Sequence, residues 1–286
     1  MSGTAVSHTG ENGSPEITPF GRKLAGAIAA RGPLCAGIDP HPGLLDAWGL
    51  PRNVHGMENF ALKAADALAS EVAVIKPQSA FFEAFGAAGI AVLERVVRHA
   101  RSAGALVLLD VKRGDIGSTM TAYARAYLGG ESALDADAIT VSPYLGFDSL
   151  DPALHADGKG VFVLARTSNP EASRLQNALL DNGKTIAQSI VDQAAGRNAG
   201  AGPLGDVGVV VGATIPPGEL DLGELNGPIL APGFGAQGAT VADLRALFGR
   251  DLTGVLVASS RDLLRHGPGA AELRDEARRI VSTLAG

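Results

Sequence analysis

Cysteine is almost absent: Cys35 stands alone among 286 residues, which excludes an internal disulfide and any multi-cysteine zinc or iron–sulfur centre and fits a reducing compartment. Histidine is scarce as well. Its six copies, at 8, 41, 55, 99, 155 and 266, include no H-x-H or H-E-x-x-H pairing, so no metal centre is expected. Nor is positive charge in excess. A formal net charge of −6 provides no basic field for a phosphate polymer, which argues against nucleic acid and leaves any anionic ligand to a few local Lys, Arg or backbone N–H groups. No apolar run approaches the ~20 residues needed to cross a bilayer. The opening stretch MSGTAVSHTGENGSP has neither a signal-peptide apolar segment nor Arg-rich amphipathy. A cytoplasmic protein with no membrane partner and a flexible tail over 1–16 is the expectation.

What is present is a large apolar fraction, 46%, beside 19% charged residues, enough for a substantial core. Length alone suggests two domains of ~150 residues, but α/β barrels run to ~250 residues as one. Eight short apolar, β-branched runs decide between these: LCAGI (34–38), VAVIK (72–76), ALVLLDV (105–111), AITVS (138–142), GVFVLA (160–165), VGVVVGA (207–213), PILAPG (228–233) and GVLVAS (254–259). Each is expected to be followed by a stretch of helical length, among them ENFALKAADALAS, IAVLERVVRHARSAG, TVADLRALFG and the closing AAELRDEARRIVSTLAG, while FGRKLAGAIAARG precedes the first run. Continuous apolar strands imply a sheet buried on both faces, and strand–helix alternation implies parallel strands. The reading is an α/β fold, a single-domain (β/α)₈ TIM barrel over 17–286. An open doubly wound sheet is the alternative, but GIDPHPG after the first strand carries no G-x-G-x-x-G fingerprint.

Residues at the C-terminal ends of barrel strands converge on one mouth. There the third strand runs into Asp110, Lys112, Arg113 and Asp115. Strand residues two apart share a face, so Asp110 and Lys112 point the same way, whereas Asp115 lies beyond Gly114 in the turn. In solvent such a group is a weak ion-pair cluster; in a cleft, each charge alters its neighbours' protonation.

The other strand ends supply further candidates, each with a plain alternative. Asp39 before Pro40 can simply set a turn. Lys76 is held extended by Pro77 and can either snorkel to water or face the mouth. Ser168 in ARTSNP is a hydrogen-bonding group or a turn residue. Gln237 lies in APGFGAQGAT, a glycine turn placed where barrels hold phosphate on backbone N–H groups. Arg261 opens the last helix, where the dipole disfavours a cation unless an anion is bound.

Together, DVKRGDIGST, VIKPQSAFFEAFG, GIDPHP, ARTSNP and APGFGAQGAT resemble the orotidine 5′-phosphate decarboxylase family in its longer bacterial form, over the whole chain from the first strand onward. The resemblance implies a homodimeric barrel that converts orotidine 5′-monophosphate into uridine 5′-monophosphate and carbon dioxide, the last step of pyrimidine synthesis, without metal or organic cofactor. It makes Lys112 the proton donor to C6, with Asp110 beside the scissile carboxylate and Lys76 completing the charged array. It also gives Asp39 the ribose hydroxyls, Ser168 the pyrimidine, and Gln237 with Arg261 the phosphate, and sends Asp115 and Thr119 into the partner's site. Family members usually carry Gly-Arg-Ser at the last position. Here ASSRDLL keeps the arginine and changes the backbone at the helix start. Two rivals remain: a 3-keto-gulonate 6-phosphate decarboxylase, whose carboxylates would hold magnesium, and a phosphate-ligand sensor that kept the barrel without turnover.

Overall fold

In the computed structural model, which describes residues 17–235 and 238–286, the eight apolar runs form eight strands. They are β1 (Leu34–Ile38), β2 (Val74–Pro77), β3 (Leu106–Arg113), β4 (Ala138–Val141), β5 (Gly160–Arg166), β6 (Val207–Val211), β7 (Ile229–Pro232) and β8 (Val255–Ser259). All pair in parallel with their sequence neighbours, and β1 pairs with β8, so the sheet closes into a single-domain (β/α)₈ barrel. The tail assigned to 1–16 and the candidate Gln237 lie outside the described residues.

Amphipathic helices cover the barrel because each has one apolar face to bury. The helix Val54–Leu68 starts where the Asn53 side chain accepts a hydrogen bond from the Gly56 N–H at 3.0 Å. Thr240 and Asp243 form a reciprocal capping box at the start of Val241–Phe248. The alternation is not strict, however. Between β6 and β7 the chain crosses without a helix, because Pro216, Pro217, Gly218, Gly223 and Gly227 remove the donors and rigidity a helix needs. The expected closing helix forms as Ala270–Ala285, but Arg261 does not open it: Arg261–Leu264 is a separate single turn. The dipole argument for Arg261 therefore lapses.

Inside the barrel a second apolar cluster includes Cys35, Val74, Leu108, Phe162, Leu230 and Leu256. The helix Phe20–Arg31 closes the N-terminal end from below by contributing Phe20 and Leu24 to that cluster. The Phe20 and Phe162 rings meet edge to face with centroids 6.1 Å apart. A Cβ on Gly160 would lie 2.3 Å from the Phe20 ring, so only glycine admits this plug. Each such ring buried contributes roughly 1.5–3 kcal/mol.

Candidate active site

The side-chain period of two carries the barrel interior from apolar to polar toward the mouth. Lys76 stands two residues after Val74, Asp110 two after Leu108, and Thr140 two after Ala138. All three are buried. Asp110 is the hub: its Oδ2 accepts from Lys76 Nζ at 3.0 Å and Gln78 Nε2 at 2.9 Å, and its Oδ1 from Lys112 Nζ at 2.5 Å and Thr140 Oγ1 at 2.8 Å. A carboxylate with two charged and two neutral donors has its lone pairs filled.

Electrostatics fix the protonation of the buried pair. Burial pushes the Asp110 carboxyl up, but Lys76 and Lys112 overcome it and hold the group well below the usual carboxylate range. Burial pushes Lys76 down, yet Asp110 and Asp39 outweigh it and the ammonium ends above its ordinary value. The two side chains are each 9% exposed, a setting in which removing either partner would leave a costly unpaired charge. Beneath them Cys35 is fully buried, and burial pushes its thiol up to about 12, so it is a filler and not a nucleophile.

Lys112 shares the Asp110 carboxylate with Lys76 but differs from it in exposure and backbone. Its side chain is 46% exposed and its backbone sits at φ +45°, the left-handed region that a non-glycine residue occupies at a cost of about 1–3 kcal/mol. The β3–β4 register shifts between Leu109 and Arg113. Simple alternation thus does not hold through Lys112: the shift re-aims the residue, and the ammonium folds back onto Asp110. Next in line, Arg113 turns away to the Tyr127 hydroxyl at 3.2 Å, to Glu83, and to the Tyr123 and Tyr127 ring faces.

Two adjoining hollows, of about 180 and 140 Å³, open above this cluster and share Lys76 and Pro232. The first is lined by Asp110, Lys112, Thr140 and Ser168, the second by Asp39 and Arg261. Ser168 can approach because β6 is followed by Gly212, where a Cβ would come within 2.9 Å of the Ser168 backbone nitrogen. Asp39 Oδ1 and Ser260 Oγ are buried without a hydrogen-bond partner among the described residues, and both residues line the second hollow. Arg261 is exposed at the rim and makes no ion pair among the described residues. Asp115 and Thr119 line neither hollow. Asp115 accepts the Ile116 N–H at 2.8 Å, and Thr119 is exposed in the first turn of Gly117–Leu128.

Sequence reasoning missed Gln78 and Thr140. Gln78 was signalled by its place directly after the Lys76-Pro77 pair. Thr140 was signalled by period alone, as the interior-facing polar residue of AITVS. The unassigned segment 171–184 also finds a place. Its Gln176 accepts from the Thr167 N–H at 2.8 Å and donates to Thr167 Oγ1 at 3.0 Å, while Arg166 donates to Glu219 at 2.8 Å and Ser173 Oγ at 3.2 Å. These bonds brace the loop that bears Ser168.

Comparison with known proteins agrees with this geometry. Residues 32–275 match the family model described as orotidine 5′-phosphate decarboxylase / HUMPS family. An orotidine 5′-phosphate decarboxylase of Salinispora arenicola is 58% identical over 92% of this chain and 96% of its own, and one from a Nocardioides species is 59% identical over 87% and 93%. Among solved structures, a Streptomyces avermitilis chain assigned to that enzyme superposes with a TM-score of 0.90 at 52% identity, over 93% of this chain and 94% of its own. The Leishmania donovani OMP decarboxylase superposes at 0.76 with 32% identity, over 94% of this chain and 100% of its own. The resemblance read from five short motifs is therefore a relationship along the whole barrel, and the chain belongs to the orotidine 5′-phosphate decarboxylase / HUMPS family.

Proposed function

We propose that the protein decarboxylates orotidine 5′-monophosphate to uridine 5′-monophosphate and carbon dioxide in pyrimidine biosynthesis, with Lys112 protonating C6. The observation that carries this is the Lys76–Asp110–Lys112 array at the mouth of a barrel of this family. When the C6–carboxylate bond breaks, the electron pair stays on C6 and neutral carbon dioxide departs. The Lys112 ammonium stabilises that developing charge and then transfers its proton to C6, leaving a neutral amine that solvent reprotonates. Fixed charges do the work an organic electron sink would otherwise do. Asp110 sets the position of the ammonium and faces the departing carboxylate. Asp39 takes the ribose hydroxyls, Ser168 the pyrimidine, and Gln237 with Arg261 the phosphate. Binding energy from the remote phosphate then holds the ring against the array.

Asp115 and Thr119 are assigned to the neighbouring subunit's site in a homodimer. Supporting this, they lie off both hollows; Ile116, next to Asp115, is 61% exposed, and Tyr144 and Leu145, in the segment after β4 whose Ser142 N–H donates to Arg113, are 76% and 52% exposed, apolar surface suited to a subunit contact. We place the enzyme in the cytoplasm, consistent with its single buried thiol. No described helix is long and apolar enough to cross a membrane.

The magnesium-dependent rival fares worse because Asp110 already accepts four donors, and the two that are ammonium groups, Lys76 and Lys112, repel a divalent ion there. Following orotidine 5′-monophosphate absorbance with and without EDTA tests both ideas. Chelator-resistant formation of uridine 5′-monophosphate is expected. Tight product binding with no turnover would turn the reading into a sensor.

A further inference from the structure

We infer that Thr140 is the positioning residue of the proton donor: its hydroxyl ties the backbone of Lys112 to the carboxylate of Asp110 and thereby fixes where the Lys112 ammonium stands. The direction of this relay leaves no freedom. A backbone N–H can only donate, so the Lys112 N–H, 3.0 Å from Thr140 Oγ1, makes that oxygen an acceptor. The hydroxyl's single proton is then free for Asp110 Oδ1, 2.8 Å away, which as a carboxylate only accepts. Thr140 is 1% exposed, so both bonds of its hydroxyl lie out of bulk solvent.

The surrounding backbone explains why such a tie is needed. Lys112 holds a left-handed conformation at the β3 register shift, a state that persists only where neighbours over-determine it. Its ammonium and its N–H both end on the Thr140–Asp110 pair, at 2.5 Å to Asp110 and 3.0 Å to Thr140. Residue 140 also sits in a β-branched strand, AITV, where valine would serve packing and strand propensity as well as threonine does. Only the hydroxyl has a use that valine cannot supply. Thr140 therefore acts through Lys112 and Asp110, whichever ligand occupies the hollow.

Kinetic expectations here rest on the decarboxylase reading; the backbone expectation does not. Thr140→Val should lower kcat about 10- to 100-fold, the scale of a misplaced catalytic group, with KM changed less than about threefold. Thr140→Ser, which keeps the hydroxyl, should stay within about threefold of wild type. Deuterium uptake at C6 of uridine 5′-monophosphate in D₂O, the reverse proton transfer, should fall with kcat in Thr140→Val. If that variant fails to fold, Thr140→Ala against Thr140→Ser makes the same comparison. A crystal structure of the hydroxyl-less variant should find Lys112 out of the left-handed region. Wild-type kcat in Thr140→Val, or an equal loss in Thr140→Ser, overturns the assignment. Should wild-type protein itself not turn over orotidine 5′-monophosphate, the decarboxylase reading falls. The Lys112 φ in the variant then decides the relay alone, and retention near its present value overturns it.

Discussion

The two ends of the barrel are made by the same strands, one side-chain repeat apart, and they solve opposite problems. Val74, Leu108 and Ala138 form part of the floor; Lys76, Asp110 and Thr140, two residues further along each strand, form the mouth. Dryness does not separate them, since Val74 and Leu108 are each 1% exposed and Lys76 and Asp110 each 7%. What separates them is the sign of the contribution. The floor gains the free energy of apolar burial, whereas the mouth holds ions out of water and offsets that cost only by pairing them. The chemistry proposed for this protein is concentrated in the layer that stability alone would not select, above a layer of apolar packing.

The sharpest way to separate the ends is Lys112→Ala. Its turnover should fall by ~10²–10⁴-fold, the worth of a positioned acid, with a melting temperature near wild type. Wild-type kcat in that variant would end the proton-donor assignment. Phe162→Ala is the mirror experiment at the floor: a loss of ~3–5 kcal/mol in urea unfolding, with activity per folded molecule retained. Should kcat collapse in fully folded Phe162→Ala, floor and mouth would not be separable. The mouth can then be divided between subunits. Lys112→Ala and Asp115→Ala, each inactive alone, should recover about a quarter of wild-type activity when mixed in equal amounts. Half of the dimers would be hybrids, each with one intact site. No recovery despite measured subunit exchange would remove Asp115 from the neighbouring site.

The smallest effect is a flat line. Asp110, held low, contributes stability that is fully present above the unfolded value of ~3.9 and is lost only as pH falls through its lower folded value. Lys76, held high, contributes stability fully present below ~10.4 and lost only as pH rises through its higher folded value. The stability difference between wild type and a Lys76→Met/Asp110→Asn double variant should accordingly stay constant from about pH 5 to pH 9. A slope in that window would show that one of the pair is not ionised as described.

Strands were legible because burial on both faces writes itself as unbroken apolar runs, and all eight expected runs became strands of one barrel. The charged candidates on strand ends were legible for the same reason, as interruptions of those runs. Lys76, Asp110 and Lys112 converge as expected, and Asp39, Ser168 and Arg261 line the adjoining hollows. Residue type was silent where geometry mattered more. Thr140 looks like any β-branched strand residue, and nothing in DVKRGD announces that Lys112 adopts φ +45°. The missing β6–β7 helix could have been read from Pro216-Pro217, a signal that the expected regular alternation overrode.

The aromatic plug under the barrel has one more consequence, for traffic. With Phe20 and Phe162 packed across one end, the hollow that Lys112 lines is closed on that side among the described residues, and what reaches it comes in and goes out on the side of the mouth. A small product formed deepest in the chamber must queue behind any larger one anchored at the rim.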